Sequence, residues 1–213
     1  MSKPTETRIS NGKQNSVLFD LANPNWDHIN INVLANSLSR QARFNGHLHD
    51  RYEPNTYSVA QHAVLCAGIQ YRSGHDTELV LSALHHDDVE AVTGDNVSPL
   101  KNTIPELKQF CDRLQEGYAK HVDLDLDHAT VKWADKLMYY YEVYKLFSAE
   151  CLSDGEYQVL CNNNKVLEPI IVWSKRIAEQ TYIDVHENPR EVISAIAAAN
   201  TATAMDRREN DQL

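Results

Sequence analysis

Apolar residues recur at helical spacing along most of this chain. Ile31, Leu34, Ala35, Leu38 and Ala42 fall three or four residues apart, and Val59, Ala60, Ala63, Val64 and Ala67 do so again after a polar stretch from Asn45 to Asn55. Each segment can bury one face while the other meets water, so two helices joined by a loop are predicted. Leu79, Val80, Ala83, Leu84, Val89 and Ala91 predict a third helix, ended near Thr93-Gly94 by a glycine suited to left-handed backbone. Thr103-Ile104-Pro105-Glu106 reads as a capping box opening a fourth helix that carries Leu107, Phe110, Cys111, Leu114 and Tyr118. A long helix from about Asp127 to Cys151 follows, with Val131, Ala134, Leu137, Met138, Tyr141 and Tyr144 on it. Ser153-Asp154-Gly155-Glu156 caps a short helix, Leu167, Ile170, Ile171, Ser174 and Ile177 mark another, and Asn188-Pro189 opens the last. No run alternates over strand length. The predicted fold is therefore all-α, with seven or eight helices around one core. It forms a single domain over residues 17–206, between polar, flexible tails at 1–16 and 207–213.

Composition narrows the function classes. A chain of 213 residues suits one domain, and 20 lysines and arginines against 30 acids give a net charge of -10. That balance disfavours a protein that coats a nucleic-acid polymer, but a bound metal ion and one or two arginines can reverse the sign of a single pocket. Apolar runs are too short to span a bilayer, and the polar start predicts no secretory signal, so a cytoplasmic protein is expected. Cys66, Cys111, Cys151 and Cys161 form no CxxC pair and read as reduced, buried thiols. The glycines are too far apart for a phosphate-cradling loop, and neither HExxH nor the zinc-deaminase motif is present.

Histidine and aspartate give the sharper signal. His-Asp occurs three times, at His49-Asp50, His75-Asp76 and His86-Asp87. The first lies in a loop and the second where Asp76 can cap the third helix, both ordinary uses. His86-Asp87 falls inside the predicted third helix, in SALHHDDVEAVTGD. Groups buried there must be paired or metal-bound; the alternative is a polar helix face that simply meets water. Glu90 would lie one turn along on the same face. His62, amid small apolar residues, and Asp135, in an apolar helix, are two further polar groups where packing favours apolar ones. Each taken alone reads as a hydrogen-bonded core residue.

The order His62, His86-Asp87 and Asp135 in a helical chain resembles the HD-domain metal-dependent phosphohydrolases. Within that family SVAQH, ALHHDDVEAVTGDNVSPLK and ADKL are similar to segments of bacterial 5'-deoxynucleotidases. So are Leu38-Ser39-Arg40 and Arg43-Phe44-Asn45-Gly46-His47, which also look like phage enzymes that strip the phosphates from dATP. The resemblance covers most of residues 30–150. It implies an HD-type fold in which His62, His86, Asp87 and Asp135 hold one divalent transition metal ion (Co, Mn or Zn, with Mg also compatible). It makes Glu90 the catalytic group that orients and deprotonates water, Asp95 the partner of the sugar 3'-hydroxyl and Arg43 the phosphate ligand. Phe44 stands in the substrate site where a tryptophan is usual, and His85 replaces an apolar residue, favouring a buried hydrogen-bonded histidine.

Two imidazoles and two carboxylates suit such an ion and leave room for water and a phosphate oxygen. The activity expected is removal of the 5'-phosphate or polyphosphate from dNMP or dNTP, with dAMP and dATP favoured. The rivals are a hydrolase of an alarmone or cyclic dinucleotide and a non-catalytic nucleotide sensor. The expected partner is a small deoxynucleotide rather than a nucleic-acid polymer or a membrane, and a homo-oligomer is expected through the apolar last helices. Tyr139-Tyr140-Tyr141 point in three directions, so at most one faces a ligand.

Overall fold

Two short strands precede the helices in the computed structural model, which describes residues 5–10 and 16–210, apart from the side chains of Asp50 and 201–210. β1 (Glu6–Ser10) and β2 (Ser16–Asp20) pair antiparallel, with Glu6 opposite Asp20 and Ser10 opposite Ser16. This strand pair is absent from the sequence expectation and corrects it where residues 6–10 and 16 were read as tail. Only Ile9 and Phe19 of the pair are buried, which is too short an alternation to register as a pattern. Residues 1–4 and 11–15 of the expected N-terminal tail lie outside the described residues, as do 211–213 of the C-terminal one. The backbone of residues 207–210 continues the last helix.

The helices follow in order: α1 (Ile31–Leu38), α2 (Val59–Arg72), α3 (Thr77–Leu84), α4 (Glu90–Thr93), α5 (Ser98–Thr103), α6 (Pro105–Val122) and α7 (Ala129–Glu142). After them come α8 (Asp154–Asn162), α9 (Lys175–Glu187) and α10 (Pro189–Asn210). Among the described residues these ten helices and one strand pair make the fold predominantly all-α, as the apolar spacing predicts. Side-chain caps start several of them. Asn30 accepts from the Asn32 and Val33 amides, Asp76 from Leu79 at 2.9 Å, and Ser153 and Glu156 form a reciprocal box.

The helix count exceeds the expected seven or eight because several predicted helices break. The third stops at Leu84 and resumes at Glu90. The box at Thr103 and Glu106 does not form: the Thr103 hydroxyl donates back to the Pro99 carbonyl, closing α5, and Ile104 opens α6 without a side-chain cap. The long helix gives way at Val143–Phe147 to a π turn. Residues 167–174 are not helical, because Pro169 disfavours helix before it and Gln61 brackets the extended chain. Its amide donates to the Ile171 carbonyl at 2.7 Å and its carbonyl accepts from the Trp173 amide at 3.0 Å.

α2 is the axis of the packing: every residue from Val59 to Gln70 is buried. Leu34, Leu38, Ala63, Leu84, Tyr182 and Val185 pack in one cluster about it, and Leu65, Ile69, Leu137, Met138, Leu146 and Leu160 in another. Cutting Leu38 or Ile69 back to alanine should cost about 2–5 kcal/mol. A helix buried all round must satisfy its polar residues internally. Gln70 does so in part, donating Nε2–H to the Thr130 carbonyl at 2.6 Å while its Oε1 stays without a partner, and His62 does so at the site described next. Among the described residues no helix is long and apolar enough to cross a membrane.

Candidate metal centre and its cavity

His62 lies in the first turns of α2 and is fully buried. Its Nδ1 is 2.5 Å from Glu142 Oε1, while Nε2 faces Asp135 Oδ1 at 3.1 Å and Asp87 Oδ2 at 3.6 Å. His86 and Asp87 come from the break between α3 and α4, which corrects their expected place inside a continuous helix. α3 closes when the His85 amide bonds the Leu81 carbonyl, and the turn is held by Asp88 N–H on His85 O and Glu90 N–H on Asp87 O. Freed from helical register, the His86 ring donates Nδ1–H to the Ala83 carbonyl at 2.8 Å. Its Nε2 is left buried without a hydrogen-bond partner, 3.3 Å from Asp87 Oδ2 and 3.8 Å from Asp135 Oδ1. The two imidazole centroids are 5.3 Å apart.

Both rings have thus committed Nδ1 to a protein acceptor and turned the other nitrogen inward, the arrangement that fixes the tautomer of a metal-binding histidine. Cys66, one helical turn after His62, adds its Sγ at 3.5 Å from His62 Nε2. Donor atoms of His62, Cys66, His86 and Asp135 all lie within 4.8 Å of one another and can hold a metal ion, with Asp87 adjoining through both imidazoles. Burial alone would raise the Asp87 and Asp135 carboxyls, yet the imidazoles outweigh it and hold both below the usual carboxylate range.

Behind His62, Glu142 is completely buried. It accepts from the Tyr57 hydroxyl at 2.7 Å and from Arg43 Nη2 at 3.2 Å. Burial pushes its carboxyl up, but Arg43 and His62 prevail and keep it low. Arg43 also reaches Asp87 Oδ2, through Nη1 at 3.6 Å, so it is an inward-facing clamp on the centre rather than a surface arginine. The loop carrying it is pinned to the start of α2 by the Arg43 amide on the Tyr57 carbonyl at 3.0 Å. Phe44 and Asn45 follow at φ +56° and +53°, a left-handed pair that costs about 1–3 kcal/mol per residue and that the surrounding contacts must hold.

Asp87, Glu90 and Asp135 stand between two cavities. The larger, about 850 Å³, is also lined by Arg43, Phe44, Asp95, Lys101, Lys136 and Tyr139; the smaller, about 230 Å³, is lined by His86, Cys111 and Gln115. Phe44 forms an aromatic wall with Phe147 at 5.0 Å and Tyr139 at 6.2 Å between centroids. Glu90 Oε2 is buried without a partner. Burial, with the charges of Asp87 and Asp95, pushes its carboxyl well above the usual range. Burial likewise raises Asp95, which Gly94, at φ +81°, turns into the cavity wall after α4.

All eight residues singled out in the sequence therefore converge here. His49 and Asp76 stay local, on the Arg51 and Leu79 amides. Of the tyrosine run only Tyr139 lines the large cavity, Tyr140 being buried in the core. Sequence reasoning missed Cys66 and Glu142 as members. Spacing held a signal for both: Cys66 is four residues after His62, and Glu142 is seven after Asp135, two turns along the same face.

No family model matches the chain. Over 115 residues, 54% of this chain and 59% of the relative, it is 38% identical to the uncharacterized protein YfdR of Escherichia coli. Over 88 residues, 40% of this chain and 43% of the relative, it is 37% identical to an uncharacterized protein of Rhodobacter capsulatus. The chain thus spans about half the length of these two curated relatives, to which it is similar over that part.

Proposed function

We propose that this chain is an HD-type metal-dependent phosphohydrolase that removes the 5'-phosphate or polyphosphate from deoxynucleotides. The observation that carries the reading is the buried pair of imidazoles whose inward Nε2 atoms face Asp87 and Asp135, that of His86 without a hydrogen-bond partner, at the edge of an 850 Å³ cavity. That volume lies within the usual range for small-molecule sites, and its wall combines cations with aromatic rings. A divalent ion on His62, His86, Asp87 and Asp135 would supply Lewis acidity towards a phosphate oxygen and lower the pKa of water.

The chain's own residues account for the rest. Glu90, with its raised proton affinity, accepts a proton from water as the water oxygen attacks phosphorus. The new P–O bond forms as the bond to the leaving oxygen breaks, and the leaving alkoxide takes a proton from solvent. Arg43, Lys101 and Lys136 balance the charge on the non-bridging oxygens. Asp95 accepts from a sugar hydroxyl, and the wall of Phe44, Phe147 and Tyr139 packs the base. Adenine preference rests on the resemblance of the sequence to phage dATP hydrolases. The proposal includes a homo-oligomer, which light scattering tests, and a cytoplasmic setting, which suits four unpaired cysteines.

The test is release of phosphate or polyphosphate from each dNMP and dNTP by chelator-stripped protein, with Co, Mn, Zn and Mg restored singly. Metal-dependent release is expected. Release from dNMPs alone identifies a 5'-nucleotidase, and preference for dATP a triphosphate hydrolase. No release from any of them by folded, metal-loaded protein overturns the reading.

A further inference from the structure

We infer that Cys66 is a thiolate ligand of the metal centre, and that it biases the site towards thiophilic ions such as Zn and Co over Mg and Mn. The inference rests on the metal reading above and extends it to a residue outside the His-His-Asp-Asp set. Cys66 is buried and follows His62 by four residues on α2, so helical geometry alone puts both side chains on one face, as a two-point chelate. Its Sγ lies 3.5 Å from His62 Nε2. Bond lengths near 2.0–2.1 Å to nitrogen and 2.3 Å to sulfur at a tetrahedral angle put two ligands of one ion about 3.5 Å apart, in agreement.

A second observation points to the same spot. His86 Nε2 is buried, has no hydrogen-bond partner, and belongs with Cys66 Sγ, His62 and Asp135 Oδ1 to one group of donors within 4.8 Å. A thiol used only for packing would not need an orphaned imidazole nitrogen on the same point. On ligation the S–H bond breaks, its proton leaves to solvent and the sulfur lone pair becomes the bond to the ion. Sulfur donors select soft and borderline ions, whereas Mg and Mn favour oxygen, so this one side chain sets the order of metal preference.

The experiment is anaerobic titration of the chelator-stripped full chain with Co(II), read by absorption, alongside the Cys66→Ser, Cys66→Ala and Cys111→Ser variants. The wild type and Cys111→Ser should bind one Co(II) and show a near-ultraviolet sulfur-to-cobalt charge-transfer band. Both Cys66 variants should lose that band and more than about tenfold in Co and Zn affinity, with Mn affinity little changed. One Co(II) bound with ligand-field bands but no sulfur band, and equal affinity in Cys66→Ser, overturns the role of Cys66 and leaves the imidazole-carboxylate centre standing. No Co(II) bound by folded wild type overturns both. If neither Cys66 variant folds, X-ray absorption of the wild-type cobalt protein decides: a sulfur scatterer near about 2.3 Å supports the inference and only nitrogen and oxygen overturns it.

Discussion

Consecutive residues of the turn after α3 feed two buried polar clusters of opposite character. His86 and Asp87 face His62, Asp135 and Glu90, while His85 and Asp88 face Tyr118, Tyr182 and His186. In the second cluster the buried groups are paired: Asp88 Oδ2 takes His85 Nδ1 at 2.7 Å and the Tyr118 hydroxyl at 2.6 Å, and Asp88 Oδ1 takes the Tyr182 hydroxyl. His85 Nε2 completes the chain on His186 Nδ1 at 2.9 Å. The first cluster keeps two buried atoms without partners, His86 Nε2 and Glu90 Oε2. Burial and charge are therefore poor guides to function by themselves. A satisfied network fixes the fold, and one that keeps buried atoms unpaired beside a cavity is the candidate for binding a ligand.

The strongest way to sharpen this contrast is to cut one member from each side. On the proposed hydrolase reading, Asp135→Asn should lower kcat/KM on the preferred nucleotide by about 10³-fold or more while the protein still folds, because it would remove a ligand charge worth several kcal/mol in the transition state. Activity within tenfold of wild type would break the assignment of that cluster. On the other side, Asp88→Ala leaves His85 and two buried tyrosine hydroxyls without their acceptor. It should destabilise the chain by about 3–5 kcal/mol, a fall in Tm on the order of 10 °C. An unchanged Tm would show that the second cluster is not structural.

Glu142→Gln tests the boundary between the two kinds of cluster, because Glu142 is fully bonded yet serves the unsatisfied side by orienting His62. The amide keeps the shape and loses the charge that steadies the ring. Metal affinity should drop about 10–100-fold, measured by competition with a chromophoric chelator. Unaltered affinity would assign Glu142 to packing alone.

These contrasts explain what the sequence did and did not reveal. His62, His86, Asp87 and Asp135 stood out because each is polar in an apolar setting, and the helical periods located most of the elements that carry them. The break at residues 85–89 was invisible, since Val89 and Ala91 continue the apolar period of α3. What opens the helix is tertiary: Asp88 is bonded to Tyr118 on α6 and Tyr182 on α9, 30 and 94 residues away. Glu142 went unnoticed because one acid on an amphipathic helix reads as surface, and Cys66 because a buried thiol behaves as a small hydrophobe. The strand pair offered only Ile9 and Phe19 to a pattern search. A long-range partner decided the break, and a single sequence does not display partners; Cys66 and Glu142 sat at telling spacings that their residue types masked.

The smallest effect is the most discriminating. Tyr118→Phe removes one of the three donors to Asp88 and nothing from the centre, and it keeps the ring that packs edge-on against Trp26 at 5.3 Å between centroids. Asp88 then retains His85 and Tyr182, so the loss is one hydrogen bond to a charged acceptor, about 1.5 kcal/mol, or a Tm lower by about 3–6 °C. Metal affinity should stay at the wild-type level, since the turn remains held at two points and the His86 ring is fixed independently by the Ala83 carbonyl. A fall in metal affinity as large as that of Glu142→Gln would mean that the two clusters are mechanically one, with Asp88 setting the aim of Asp87. Thermal unfolding and the chelator competition, run on the same preparation, separate the outcomes.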